Sequence, residues 1–171
     1  DPSGRVHDRY IKVHPFSHGL ESKHYAGGDR LVLVEVGDLL VCPMICYDLR
    51  FPELWRLARR AGAQAFAIGA SWPAVRHEHW RSLLIARAIE NQAFVIGCNR
   101  CGSNPHLDYA GGSLIIDPTG TVLAEADDTP TLLQADIDPS AADGWRNEFR
   151  CHDDVHEALL GTIEVVRSNP A

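Results

Sequence analysis

No run of this chain approaches the roughly 18 consecutive apolar residues of a membrane span, and nothing at its start resembles a signal peptide. The expectation is a soluble, cytoplasmic protein with no membrane partner. Positive charge is scarce: 16 Lys and Arg stand against 23 Asp and Glu, for a formal charge of -7. Without a basic stripe or an arginine-rich tail, nucleic acid is not an expected partner, and small molecules are. Five cysteines is an odd number in a chain with no export signal, so free thiols are expected rather than a disulfide framework. Linkers, low-complexity tracts and repeats are missing, apart from one turn that recurs, and so is an initiator methionine. What is present, 171 residues of which 45% are apolar, suits one domain with a substantial core.

The recurring turn is Asp117-Pro118-Thr119-Gly120-Thr121-Val122, which follows the strand-like Ser113-Leu114-Ile115-Ile116 and reads as a hairpin turn. Asp1-Pro2-Ser3-Gly4-Arg5-Val6 carries the same chemistry with no strand leading into it. Together with the missing methionine, this predicts that the chain is the carboxyl-terminal part of a longer protein.

Along the chain, Val6 to Val13 reads as a strand. Val32 to Val36 pairs with Leu39 to Cys46 through Gly37-Asp38, a strong short hairpin signal. From Glu53 to Ala61, Leu54, Leu57, Ala58 and Ala61 recur at helical spacing, Arg56, Arg59 and Arg60 take the wet face, and Gly62 ends the helix. Ala65 to Ala70 reads as a buried strand. His77 to Gln92 reads as a second helix with Leu83, Leu84, Ile85, Ala88 and Ile89 inward, and Phe94 to Cys98 as a further strand. Strand, helix, strand, helix, strand implies a layered α/β core. Hairpins are expected from Tyr109 to Ile137, then a loop-rich tail from Pro139 with a short helical stretch near Val155 to Leu160.

One thiol is singled out by its place. Cys46 stands where the apolar run Leu39 to Ile45 gives way to a polar turn and then to a helix opened by Pro52. Such a junction lies at the rim of a sheet near the positive end of a helix dipole, where a thiolate is stabilised and a nucleophile is expected.

The segments Tyr10-Ile11-Lys12-Val13-His14-Pro15-Phe16, Cys46-Tyr47-Asp48-Leu49-Arg50-Phe51-Pro52-Glu53 and Ala86-Arg87-Ala88-Ile89-Glu90-Asn91-Gln92 resemble, in order and spacing, the motifs of the nitrilase superfamily of carbon-nitrogen hydrolases. Ser71-Trp72-Pro73-Ala74, the His79-Trp80 pair and Gly97-Cys98-Asn99-Arg100 are most similar to its omega-amidase group, which acts on 2-oxo acid amides. The resemblance runs from Asp1 to about Phe149. It implies a four-layer α-β-β-α sandwich whose amino-terminal part is absent here, and a homodimer. It also implies a catalytic lysine and cysteine at Lys12 and Cys46, and a supporting glutamate at Glu21, which precedes the Gly28-Asp29 pair. The family's general-base glutamate belongs to the amino-terminal portion and has no match in this chain.

The implied chemistry is thiol amide hydrolysis; the alternatives are another nitrilase-superfamily amidase, of the N-carbamoyl amino acid or deaminated glutathione type, and a truncated, catalytically inert binding subunit. Cys46 attacks the carbonyl, and Lys12 and the backbone N–H of Tyr47 hold the oxyanion. Ammonia leaves, and water then cleaves the thioester. Neither metal nor organic cofactor is required. Arg50 is a candidate for pairing with a substrate carboxylate, or equally for a structural salt bridge.

Each assignment has a plainer competitor. Cys42 reads as an inert core thiol, and Cys46 could be one too; Lys12 could be a surface lysine, and Glu21 could cap a loop. Trp72 could fill the core or wall a pocket. Glu53 and Glu90 read as helix or salt-bridge residues, and Asp48 as a turn acceptor. A metal reading of Cys98-Asn99-Arg100-Cys101 with His152 and His156 lacks the second ligand pair at zinc spacing. The Cys-Gly-Ser-Cys-Trp signature of papain-like enzymes does not occur.

Overall fold

The computed structural model describes residues 3, 5, 6, 8–156 and 164–168. A short helix α1 (Glu21–His24) precedes β1 (Arg30–Val36) and β2 (Leu39–Ile45). These two pair antiparallel with Val36 opposite Leu39, so Gly37-Asp38 is the whole connection, and Gly37 adopts φ 57°, a conformation glycine reaches without strain. Helix α2 (Pro52–Arg60) opens with proline at its first turn, and Gly62, at φ 103°, follows its end. Then come β3 (Ala65–Ala70), α3 (His77–Asn91) and β4 (Phe94–Asn99). The strands β5 (Cys101–Ser103) and β6 (Asp108–Ala110) form a separate ribbon. β7 (Leu114–Ile116), β8 (Val122–Glu125), α4 (Ser140–Glu148) and β9 (Glu164–Ser168) complete the described elements.

Seven strands form one mixed sheet in the order β8-β7-β4-β3-β2-β1-β9. Its centre, β2-β3-β4, is parallel, because α2 and α3 are the crossovers between successive strands. Alternate residues of β2 serve opposite faces: Leu40, Cys42 and Met44 join the main core, while Leu39 and Val41 face α4. The main core packs Trp55 of α2 and Trp80, Leu84 and Ala88 of α3 onto Phe66, Ile68 and Val95. Gly97 makes this possible, since a Cβ there would stand 2.6 Å from Leu84 Cδ1. The sequence expectation of a layered α/β fold is met. The Asp117 turn also forms as expected, with the Thr119 and Thr121 N–H groups donating to the Asp117 carboxylate.

Four local expectations are corrected. The described residues from Val6 to Val13 form no strand; the donors of Tyr10 and His14 go to Asp48, and no strand lies alongside. Ile89 is 51% exposed rather than inward, because the buried face of α3 runs through Trp80, Leu84, Arg87, Ala88 and Asn91. Helix α4 replaces the expected loop after Pro139. It buries only Ala142, too little to leave an apolar stripe, and docks through polar contacts, Gln64 Nε2 to Asp143 at 2.8 Å and Arg146 Nη2 to the Ala63 carbonyl at 2.6 Å. Finally, Val155 and His156 are not helical; the turn there is Cys151–Asp154, and residues 157–160 lie outside the described residues.

Candidate active site

Cys46 opens a five-residue 3-10 turn, Cys46–Arg50, at the C-terminal end of β2, with its own backbone left-handed at φ 44°. A non-glycine residue in that conformation stores roughly 1–3 kcal/mol and persists only where its surroundings hold it. Three sets of contacts do so. Asp48 Oδ2 accepts the Ile45 N–H at 3.3 Å. The Trp55 indole N–H, from α2, donates to the Asp48 carbonyl at 3.1 Å. Arg87, from α3, donates to the Leu49 carbonyl through Nη2 at 2.7 Å and Nε at 3.1 Å, while its Nη1 pairs with Glu90 at 2.8 Å. That is why a guanidinium is buried in α3, and why Glu90 serves as a salt-bridge residue.

Ahead of the sheet, the segment carrying Lys12 is tied to the same turn. The Tyr10 hydroxyl donates to Asp48 Oδ2 at 2.8 Å, and the His14 N–H donates to Oδ1 at 2.9 Å, with the ring Nδ1 3.0 Å from the same oxygen. Burial and the Asp48 charge push the Tyr10 hydroxyl far up, so it stays a donor. The His14 ring stacks on Phe51 at 3.6 Å. Between these anchors, Lys12 Nζ donates to Glu21 Oε2 at 2.6 Å, and that oxygen also accepts the Phe16 N–H at 2.7 Å. Burial works to raise the Glu21 carboxyl, but the Lys12 hydrogen bond, the Phe16 N–H and the Lys12 charge together hold it below the usual carboxylate range.

All six residues singled out from the sequence, Lys12, Glu21, Cys46, Tyr47, Arg50 and Trp72, line one cleft of about 620 Å³. Phe16, Ser71, Arg76, Leu107 and Tyr109 line it as well. Trp72 is both core and wall: it is 3% exposed, its indole N–H donates to the Arg76 carbonyl at 2.8 Å, and its backbone N–H donates to Asn99 Oδ1 at 2.7 Å. Arg50 lies 4.8 Å over the Trp72 ring with Nη2 3.1 Å from His79 Nδ1, and among the described residues it forms no salt bridge. Asn99 was not singled out alone; its side chain joins the Trp72 backbone to the Gly111 carbonyl at 2.7 Å, a link that only the folded sheet reveals.

The electrostatics correct one expectation. Burial raises the Cys46 thiol, the Lys12 ammonium and the Ser71 backbone N–H lower it, Glu21 and Asp48 add to the rise, and the net direction is upward. The expected net stabilisation of the thiolate is not met, because burial outweighs the Lys12 charge and the Ser71 N–H. Cys42 is fully buried, and burial and Asp48 raise its thiol strongly, as suits an inert core group. All five cysteines are free, and among the described residues no three His, Cys, Asp or Glu side chains gather to hold a metal.

Fold and cleft together define a mixed α/β protein that gathers a thiol, an ammonium and a carboxylate at the C-terminal edge of its parallel strands. The carbon-nitrogen hydrolase family model matches residues 1–147. The chain is 42% identical over 159 residues to the 2-oxoglutaramate amidase of Bacillus subtilis (strain 168), covering 93% of this chain and 61% of that protein. It is similar in structure to XC1258 from Xanthomonas campestris, a CN-hydrolase superfamily protein with an arsenic adduct in its active site, with a TM-score of 0.82 and 35% identity over 90% of this chain and 61% of that one. A mutant amidase from Nesterenkonia sp. AN1, bearing the acetamide moiety of fluoroacetamide on its active-site cysteine, matches with a TM-score of 0.71 and 27% identity, over 85% of this chain and 56% of that one. The chain belongs to the carbon-nitrogen hydrolase family, and it spans 61% of the length of the Bacillus relative.

Proposed function

We propose that this protein is a cytoplasmic thiol amidohydrolase that releases ammonia from the amide of a small 2-oxo dicarboxylic acid monoamide. The observation that carries this reading is the convergence in one cleft of Cys46, on a strained turn, with the Lys12–Glu21 pair at 2.6 Å. The deprotonated sulfur attacks the amide carbon, and the carbonyl electron pair moves onto oxygen, where Lys12 and the Tyr47 N–H receive it. Collapse breaks the carbon–nitrogen bond, the proton given up by the thiol is returned to the nitrogen by the general base that the family resemblance calls for, ammonia leaves, and water cleaves the resulting thioester to the acid. No electrons are transferred in this route, so it calls for no cofactor. Glu21 orients Lys12: its Oε2 accepts both the Lys12 ammonium and the Phe16 N–H. It is the only carboxylate lining the cleft among the described residues, so the general base that the family resemblance calls for has no counterpart there.

Substrate choice follows from Arg50. A guanidinium 4.8 Å over the Trp72 ring, with no salt bridge to a described residue, suits bidentate capture of the substrate carboxylate at the end opposite the amide. The similarity to a 2-oxoglutaramate amidase supports the same class. The family resemblance adds a homodimer, and light scattering that shows only monomer removes that part.

A second reading, a folded binding subunit without turnover, is favoured by the upward shift of the Cys46 thiol. Ammonia release from 2-oxoglutaramate separates the two. Turnover is expected in the protein and not in Cys46→Ala, whose circular dichroism is unchanged. Undiminished turnover in that variant removes Cys46 from the mechanism; a protein that binds the amide without releasing ammonia is the binding subunit.

A further inference from the structure

We propose that Asp48 is a positioning residue that sets where the Lys12 ammonium stands relative to the Cys46 sulfur, using one carboxylate to grip the Lys12 segment and to close the nucleophile turn. The inference rests on the thiol-amidohydrolase reading above and assigns how its two charged partners are kept in register.

Asp48 is fully buried and meets four nitrogen or oxygen partners. Three come from the segment that carries Lys12: the Tyr10 hydroxyl at 2.8 Å, two residues before it, and the N–H at 2.9 Å and ring Nδ1 at 3.0 Å of His14, two residues after it. Another is the N–H of Ile45, the residue just ahead of Cys46. A single group thus bridges positions 34 and 38 residues apart in the chain. The grip matters because Lys12 has little else to fix its backbone. Its segment pairs with no strand, and its main chain is held from the other side by the Gly28 N–H on the Lys12 carbonyl at 2.8 Å. Glu21 holds the tip of this flexible four-carbon stem at 2.6 Å, and Asp48 anchors the backbone beneath it on both sides. The His14 ring also stacks on Phe51, three residues beyond Asp48, which adds a second contact between the Lys12 segment and the turn.

Asp48 does not line the cleft, whereas Lys12, Glu21 and Cys46 do, so apart from its own charge, which opposes the thiolate, its effect on chemistry passes through Lys12. The ionisable groups that act on the sulfur are Lys12 from the leading segment, Glu21 from α1 and Asp48 from the turn itself. Of these only Lys12 favours the thiolate. Loosening the grip therefore lets the one favourable charge drift.

The test is the rate at which iodoacetamide alkylates Cys46 in the resting protein, read peptide by peptide by mass spectrometry across pH. Tyr10→Phe removes one donor to Asp48 and keeps the ring. It is expected to slow alkylation at pH 7.5 by about three- to tenfold, as a weakened ammonium leaves less thiolate. In a Lys12→Met background the same change should have no further effect. His14→Ala, acting on the far side of Lys12, should behave alike, so a folding failure in one variant leaves the other to decide. Equal slowing with and without Lys12, or no slowing in either single variant, overturns the proposal. The readout needs no turnover, so it stands apart from the Cys46→Ala assay that tests the amidase reading.

Discussion

Replacing Lys12 with methionine removes the one lysine that lines the cleft among the described residues while keeping most of the side-chain length and volume. Its amine is well placed to be missed: it is 11% exposed and bonded to Glu21 at 2.6 Å. Losing one preorganised oxyanion donor costs about 2.7–4 kcal/mol in the barrier, which at 1.36 kcal/mol per decade is roughly a 10²- to 10³-fold fall in kcat. Folding should suffer less. The Glu21 carboxylate loses its charged partner but keeps the Phe16 N–H and is 31% exposed, so water re-solvates it and a loss of about 1 kcal/mol is expected. The assay is steady-state ammonia release from 2-oxoglutaramate, with thermal unfolding alongside to show that the variant is folded. Lys12→Arg should rescue only partly, because a planar guanidinium does not put its charge where a compact ammonium does. A folded Lys12→Met protein with kcat within threefold of the parent would refute the assignment.

Other outcomes follow from the same geometry. Arg50→Ala should raise KM for carboxylate-bearing amides by about 10- to 100-fold, the worth of a bidentate charged pair, with kcat changed far less; an equal effect on neutral amides would show that Arg50 only shapes the turn. The folded Glu21 carboxyl lies below its unfolded value, so the stability it adds is fully present above the unfolded carboxyl range near pH 4.3. That stability is lost as pH falls through the folded value. The gap in thermal midpoint between the parent and Glu21→Gln should accordingly close on acidification from pH 6 to pH 3, and a gap that widens contradicts the sign. Gly97→Ala should destabilise by about 1–3 kcal/mol, because the added carbon meets Leu84 Cδ1 at 2.6 Å and Trp80 Cζ2 at 3.1 Å where both neighbours are fully buried; a denaturant midpoint unchanged from the parent would show that α3 can shift.

Local signals explain what was legible in advance. A two-residue Gly37-Asp38 connection, a proline opening α2 and uninterrupted apolar runs at β3 and β4 each carry their instruction within a few residues. The six candidate site residues were singled out mainly through motif resemblance, and one cleft is lined by all of them. Helix α4 was not, since it buries one alanine and holds on by Arg146 and Asp143, which read as ordinary solvent-facing charge. The role of Arg87 was not legible for the same reason: nothing in its own neighbourhood announces that a carbonyl 38 residues earlier needs its guanidinium.

By itself, then, the amino-acid order determined the strands and helices of the core, the thiol at a strand end and the family whose motifs it shares, because each is written in short-range pattern and spacing. Only the tertiary structure decided that Asp48 joins the Lys12 segment to the Cys46 turn, that Arg50 rests on Trp72, and that burial outweighs the ammonium in setting the Cys46 thiol. Those depend on groups brought within about 3–5 Å across tens of residues, and on how far the fold excludes water from them. Neither quantity exists until the chain has closed on itself.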